Sequence, residues 1–392
     1  MVLEIVIVIV VIALFFDFVN GFHDTSNAIS TIVATGTLKP VYAVALAAVG
    51  NFLGVFLFPP LVATTMGKGI ITESSIAAIT ILAALLGAII WGLITWYLAI
   101  PSSSSHALIG GLLGAALVYT GPSAIIAPSI TDVEILMEFM FIGGLLGLFI
   151  IFITGAAKHE RLTPGFLAIG FITGAIIAII IAIATKAVHV SGLFAAIIFI
   201  AASPLIGMGL SFIIVSLITR GLRRTSGPKA NRYFRRLQIG SSFFYSLSHG
   251  TNDAQKTMGV ITILLVSEGI LTSFHIPLWV ILAAGGAMAL GTFLGGWRIV
   301  KTMAARITAL RPYQGFSAET GGGVGLTTMA IMGIPVSTTH AIAGSIMGVG
   351  AARGTRAVRW GVTRRLIIAW IITIPASALM AAVICYALSF VM

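Results

Sequence analysis

The sequence predicts an all-α polytopic membrane protein of about twelve transmembrane segments, re-entrant half-helices among them, arranged as two inverted-topology repeats. Three observations predict it. The 392 residues are 58% hydrophobic and 8% charged, with a mean hydropathy of +1.12, which leaves too little charge to cover a water-facing surface. Apolar stretches recur near the roughly 20 residues that a helix needs to cross a bilayer. Two hydroxyl-rich phrases, "PSSSSHALIGG" at 101–111 and "PVSTTHAIAGS" at 335–345, interrupt this apolar sequence with one pattern. A β-barrel would show short alternating segments instead, a pattern the sequence lacks.

The apolar segments run 3–35, 41–65, 74–100, 102–120, 133–156, 164–185, 191–219, 238–267, 275–299, 316–334, 336–351 and 365–391. The first lacks the basic n-region and cleavage site of a signal peptide, so it is read as a membrane segment. It carries Asp17, Asn20, His23, Asp24 and Asn27, which predicts a helix broken in its middle. The fourth and eleventh are short and follow a proline, as half-helices of re-entrant hairpins would.

The net charge of +11 sits in short loops, where it reports topology rather than nucleic-acid binding. The 220–236 loop holds Arg220, Arg223, Arg224, Lys229, Arg232, Arg235 and Arg236 and is assigned to the cytoplasm. The loops at 298–311 and 353–365, and Lys158 and Arg161, fall on the same side. The 121–132 loop has no Lys or Arg and falls outside, with both termini. The single cysteine, Cys385, excludes an internal disulfide and cysteine-based metal or redox chemistry.

Two landmarks recur in the same order. "NGFHDTSNA" at 20–28 aligns with "HGTNDAQKT" at 249–257, setting Asp24 opposite Asp253. The serine phrases set Ser103, Ser104, Ser105 and His106 opposite Ser337, Thr338, Thr339 and His340. One copy begins outside and the other inside, so the halves are inverted, as in many secondary transporters. This divides the chain into a first repeat at 1–156, connecting segments and a basic loop at 157–236, and a second repeat at 237–392.

A proline followed by hydroxyl residues reads as a helix start, whose free N–H groups and positive dipole end attract anions. Two such starts from inverted halves can meet on one anion. A single copy reads better as close helix packing; the paired copies favour the anion. Asp24 and Asp253, beside Asn27 and Asn252, offer the carboxylate and amide oxygens that suit a hard cation. The plainer alternative is an ion pair, for example Asp253 with Lys256. Glu319, in "GFSAETGGG", reads as a third cation ligand, a proton carrier or an interfacial acid. Lys256 either touches the anion or neutralises Asp253. His106 and His340 rank below the hydroxyls, as buried core histidines. The glycine runs at 321–325 and 110–111 read as helix contacts, since neither strand nor Walker lysine flanks them.

These motifs, "HGTNDAQKTMGVI" with the two serine phrases and "GFSAET", resemble the inorganic phosphate transporter (PiT) family over nearly the whole chain. The resemblance implies a secondary transporter that carries inorganic phosphate by symport with sodium ions, with alternating access at a midplane site. It has no cofactor beyond the coupling ions. Asp24, Asn27, Asn252, Asp253 and Glu319 would then bind sodium. Ser103, Ser104, Ser105, Ser337, Thr338, Thr339, Asn27, Gln255 and Lys256 would line the phosphate. The family's usual run has Asn before the first aspartate, whereas this chain has His23, which raises a proton-coupled phosphate or metal-phosphate carrier as an alternative. A sulfate permease and a phosphate channel are further alternatives; outside transport, the rival is an intramembrane lipid phosphatase. The expected setting is the cell (inner) membrane, with the lipid bilayer as partner, no nucleic acid, and room for a homodimer.

Overall fold

The computed structural model describes residues 2–391 apart from 127–128, 158–163, 189–191 and 225. Lys158 and Arg161 lie outside the described residues. Fourteen α-helices carry the described chain, and its only strand-like pairing is an isolated bridge between Ile71 and Ile125. In order they are α1 (Val2–Ala34), α2 (Pro40–Gly54), α3 (Leu61–Lys68), α4 (Ala78–Tyr97), α5 (Ser104–Tyr119), α6 (Ile130–Ala157) and α7 (Pro164–Ala184). Then come α8 (Gly192–Gly221), α9 (Gly227–Ser267), α10 (Leu278–Leu294), α11 (Trp297–Arg306), α12 (Pro312–Ile331), α13 (Thr338–Ala351) and α14 (Trp360–Leu388).

Local chemistry sets these boundaries. Pro40 and Pro312 occupy first-turn positions, where a missing N–H costs nothing. Pro59 and Pro60 stand where the 41–65 segment splits into α2 and α3. The 275–299 segment divides likewise: α10 and α11 are bent by 73° at Gly295, whose φ of 70° suits glycine.

The expected break in the first segment is absent. α1 runs unbroken past Asp17 and Asp24, and α9 runs unbroken past Asp253. Neither helix has a proline near its acids. Asp24 and Asp253 are served laterally, by hydroxyls across helix contacts, so the backbone ladder does not have to open at them. The short, proline-led segments do start where expected. At 1.5 Å per residue α5 spans about 24 Å and α13 about 21 Å, less than a bilayer's hydrocarbon core.

Among the described residues, five helices are long and apolar enough to cross a membrane, or six when the bent α10–α11 pair counts as one. Their outer faces carry large apolar side chains, such as Phe141, Leu290, Leu379 and Val383, each at least 60% exposed. Such a belt suits lipid and not water. The protein is therefore an all-helical membrane protein.

Helices cross between the two halves of the sequence. α1 packs on α10 and α11, and α9 packs on α2 and α3. Glycine sets both crossings. A Cβ at Gly21 would stand 2.2 Å from the Met288 carbonyl oxygen, and one at Gly250 2.1 Å from that of Asn51. α5 lies against α14, and α13 against α8, while α6 and α7 form an outlying pair.

Candidate functional site

Two helix starts face the centre of the bundle. In α5, Ser103 is the N-cap: its extended backbone ends the preceding loop and its Oγ accepts the His106 N–H at 3.2 Å. In α13, Ser337 does the same for the His340 N–H at 3.3 Å. Each hydroxyl caps its helix through one acceptor lone pair and keeps an O–H to donate. The N–H groups of Ser104, Ser105, Thr338 and Thr339, in the first turns, have no intrahelical partner. The histidines turn away from this role. Their rings meet edge to face at 4.8 Å, and His340 stacks on Trp370 at 4.0 Å.

The acids of α1 and α9 converge on these starts. Thr338 Oγ1 donates to Asp253 Oδ2 at 2.9 Å and reaches Asp24 Oδ2 at 3.4 Å. Thr339 Oγ1 lies 3.4 Å from Asp24 Oδ2 and accepts from Asn27 Nδ2 at 2.9 Å. Lys256 donates to Asp253, to Ser105 Oγ and to the Val336 carbonyl, the last at 2.9 Å. The Asp253–Lys256 ion pair left open by the sequence therefore forms. Asn27 and Lys256 are aligned residues, and they hold the aligned hydroxyls Thr339 and Ser105.

The carboxylates of Asp24 and Asp253 form a fully buried group with His249, with ligand atoms within 4.8 Å of one another. His249 Nε2 is 3.2 Å from Asp253 Oδ2, and its Nδ1 is 3.1 Å from Asn51 Oδ1. His23 has both ring nitrogens engaged: Nδ1 with Asp24 at 2.8 Å, Nε2 with Thr95 at 3.2 Å and Ser102 at 3.4 Å. Asn252 is buried with neither amide atom partnered. Gln255 accepts from the Val62 N–H at 3.0 Å, at the start of α3, and its Nε2 is buried and unpartnered. Ser104 is partly exposed.

Glu319 makes a separate cluster. Its carboxylate accepts from Thr31 at 2.6 Å, Gln238 at 3.0 Å and Ser241 at 2.5 Å. Gln238 in turn accepts from Thr35 and Thr37, both at 2.8 Å.

Sequence reasoning passed over His249, Thr95, Ser102, Thr31, Gln238 and Ser241. Two signals were readable. His249 stands one helical turn before Asp253, and Thr31 two turns after Asp24, each on the face of its acid.

This arrangement can hold charges of both signs in one dry place, which is what carrying an anion with cations requires. A sequence profile described as "Phosphate transporter family" matches residues 20–172 and 168–381. The chain is similar to a "Probable low-affinity inorganic phosphate transporter" of Rhizobium meliloti, 42% identical and covering 96% of this chain and 94% of that one. A Bacillus subtilis protein of the same name is 39% identical, with 98% and 97% covered. The fold is similar to a solved structure, "The sodium-dependent phosphate transporter", with a TM-score of 0.70 at 23% identity, covering 99% of this chain and 100% of that one. These relatives are transporters and not enzymes, and on the profile match and the identity to them the chain belongs to the phosphate transporter family.

Proposed function

We propose that this chain imports inorganic phosphate across the cell membrane by symport with sodium ions, with two inverted halves alternating access to a midplane site. The observation that carries this reading is the meeting of Asp24 and Asp253 with the first turn of α13. Phosphate takes the free N–H groups of Ser104, Ser105, Thr338 and Thr339, together with the unpartnered amides of Asn252 and Gln255. Sodium ions at Asp24 and Asp253 offset its charge, since Lys256 alone is a single cation already shared with Asp253. Binding of cation and anion is then mutually reinforcing, because each removes the repulsion that the other would meet. The inverted arrangement is supported by matched contacts: Gly21 of α1 faces the Met288 carbonyl on α10 as its aligned Gly250 of α9 faces that of Asn51 on α2.

Asp24 tests the coupling cleanly. It has no lysine or arginine partner among the described residues, and its basic neighbours are the imidazoles of His23 and His249, which can shed a proton when the carboxylate is removed. In proteoliposomes the variant should lose sodium-driven phosphate accumulation at least tenfold, while melting near the parent in detergent. Unchanged accumulation with the same sodium dependence would remove Asp24 from the coupling site. The proton-coupled alternative rests on the His23–Asp24 contact; uptake driven by a pH gradient with no sodium present would favour it. Sulfate competing equally with phosphate would make the chain a sulfate permease.

The seven Lys and Arg residues of the 220–236 stretch support a cytoplasmic position for it. Ser226 is exposed, just before α9. A cysteine there should react only from the cytoplasmic side, once Cys385, itself buried, is replaced by alanine. Labelling from outside in intact cells would reverse the orientation.

A further inference from the structure

Asp17 is used by nothing described so far. It is fully buried in α1, and neither carboxylate oxygen has a hydrogen-bond partner. The contrast with Glu319 is sharp in chemical terms, since that buried acid accepts from three donors. Asp17 is two turns before Asp24, on the same face of α1 and about 10 Å along its axis. Thr31 lies two turns the other way and touches Glu319. Asp17 and Glu319 thus flank the central site on opposite sides.

The polar groups that bear on Asp17 are Thr257 and Asn20, followed by Asp253 and Lys256. Thr257 Oγ1 and Asn20 Oδ1 are buried and unpartnered as well. Two carboxylate oxygens, an amide oxygen and a hydroxyl make a set rich in acceptors. The Thr257 hydroxyl and the Asn20 amide nitrogen are the donors near the carboxylate, and each residue can instead present its oxygen to a cation. Lys256 makes no hydrogen bond to the acid, and its charge is already balanced by Asp253, which it contacts directly. A bare carboxylate has no place in a dry, apolar interior. Hard oxygen donors converging on unpaired negative charge are what a small alkali cation takes.

We propose that Asp17, Asn20 and Thr257 hold an additional sodium ion, one layer from the Asp24–Asp253 site toward the N-terminal end of α1. This rests on the reading that the chain couples to sodium. With that end of α1 outside, the ion occupies the position first met from the extracellular side. Its role is to neutralise the approach to the central site before phosphate arrives. The aligned position in the second half is Ser246, so the layer exists in one half only.

The test is equilibrium binding of radioactive sodium to the purified full-length chain without phosphate, in an Asp24→Asn background that disables the central site. That background should still bind sodium saturably. Adding Asp17→Asn should abolish this binding, and adding Thr257→Val should weaken it roughly fivefold to tenfold, the loss of one neutral ligand. Thermal melting checks that each variant folds. If Asp17→Asn does not fold, Thr257→Val and Asn20→Ala decide alone. Absence of sodium binding in the background, or binding unchanged by these substitutions, overturns the proposal. Failure of the coupling reading is seen separately: uptake indifferent to sodium, with Asp17-dependent sodium binding intact, sinks coupling and leaves this site standing.

Discussion

Asp253→Asn should melt far below the parent protein and carry no phosphate. The substitution leaves Lys256 buried at 2% exposure with its carboxylate gone. Removing one partner of such a pair costs about 3–5 kcal/mol, because the remaining charge is stranded in a medium that cannot solvate it. Ser105 and the Val336 carbonyl stay in contact with the ammonium but bring no negative charge. The paired change Asp253→Asn/Lys256→Gln should recover most of the melting temperature while leaving uptake abolished. That outcome separates the structural part of Asp253 from its part in binding cations. A single variant that melts like the parent would show that the ion pair carries no stability, and an active one would remove Asp253 from the transport site.

Proline at the two helix starts should have the next largest effect, and the structure makes it a clean experiment. Ser104 and Thr338 are the first helical residues of α5 and α13. Proline is tolerated there, and the preceding Ser103 and Ser337 have the extended backbone, ψ near 113° and 114°, that a following proline requires. Ser104→Pro therefore deletes one free N–H without breaking the helix. A hydrogen bond to a charged group is worth about 1.5–3 kcal/mol, so phosphate affinity should fall roughly tenfold to a hundredfold. Ser104→Ala, which keeps the N–H, should cost about fivefold at most. Thr338→Pro also removes the hydroxyl that donates to Asp253, so Thr338→Val is its control. Calorimetric titration with phosphate reads both. Proline variants that fold and bind like the parent would reduce the serine phrases to packing motifs.

Much of the site was legible because it is written twice. A proline-led run of hydroxyls closed by histidine marks a helix start from local chemistry alone, and α5 and α13 begin within it. Asp24, Asn27, Asp253 and Lys256 were found as aligned residues in an apolar background, and they do meet those starts. The unbroken course of α1 was not legible. Its polar run looks like a break in one dimension, yet His23 and Asp24 meet side chains 72 to 315 positions away in sequence. The neighbours of Glu319 were missed for the same reason. Thr31, Gln238 and Ser241 are ordinary polar residues on two helices, and only the packing of α12 on both α1 and α9 brings them to one carboxylate. Asp17 shows the reverse: the sequence displayed it, and the bare state of its oxygens appears only once the surrounding helices are in place.

The crossing of α1 onto α10 and α11 has a consequence for how the protein is made. At 5–20 residues per second, α1 leaves the ribosome roughly 10–50 seconds before α10 is synthesised. Throughout that interval Asp24 is without the α13 hydroxyls that it meets in the folded protein, and Gly21 lies open where the Met288 carbonyl will later press. Neither half is a unit that can mature by itself, since each donates its most polar helix to the other. Assembly must follow insertion of nearly the whole chain, so the most vulnerable moment in the life of this protein falls in the translocation apparatus, on a nascent helix waiting for its mate.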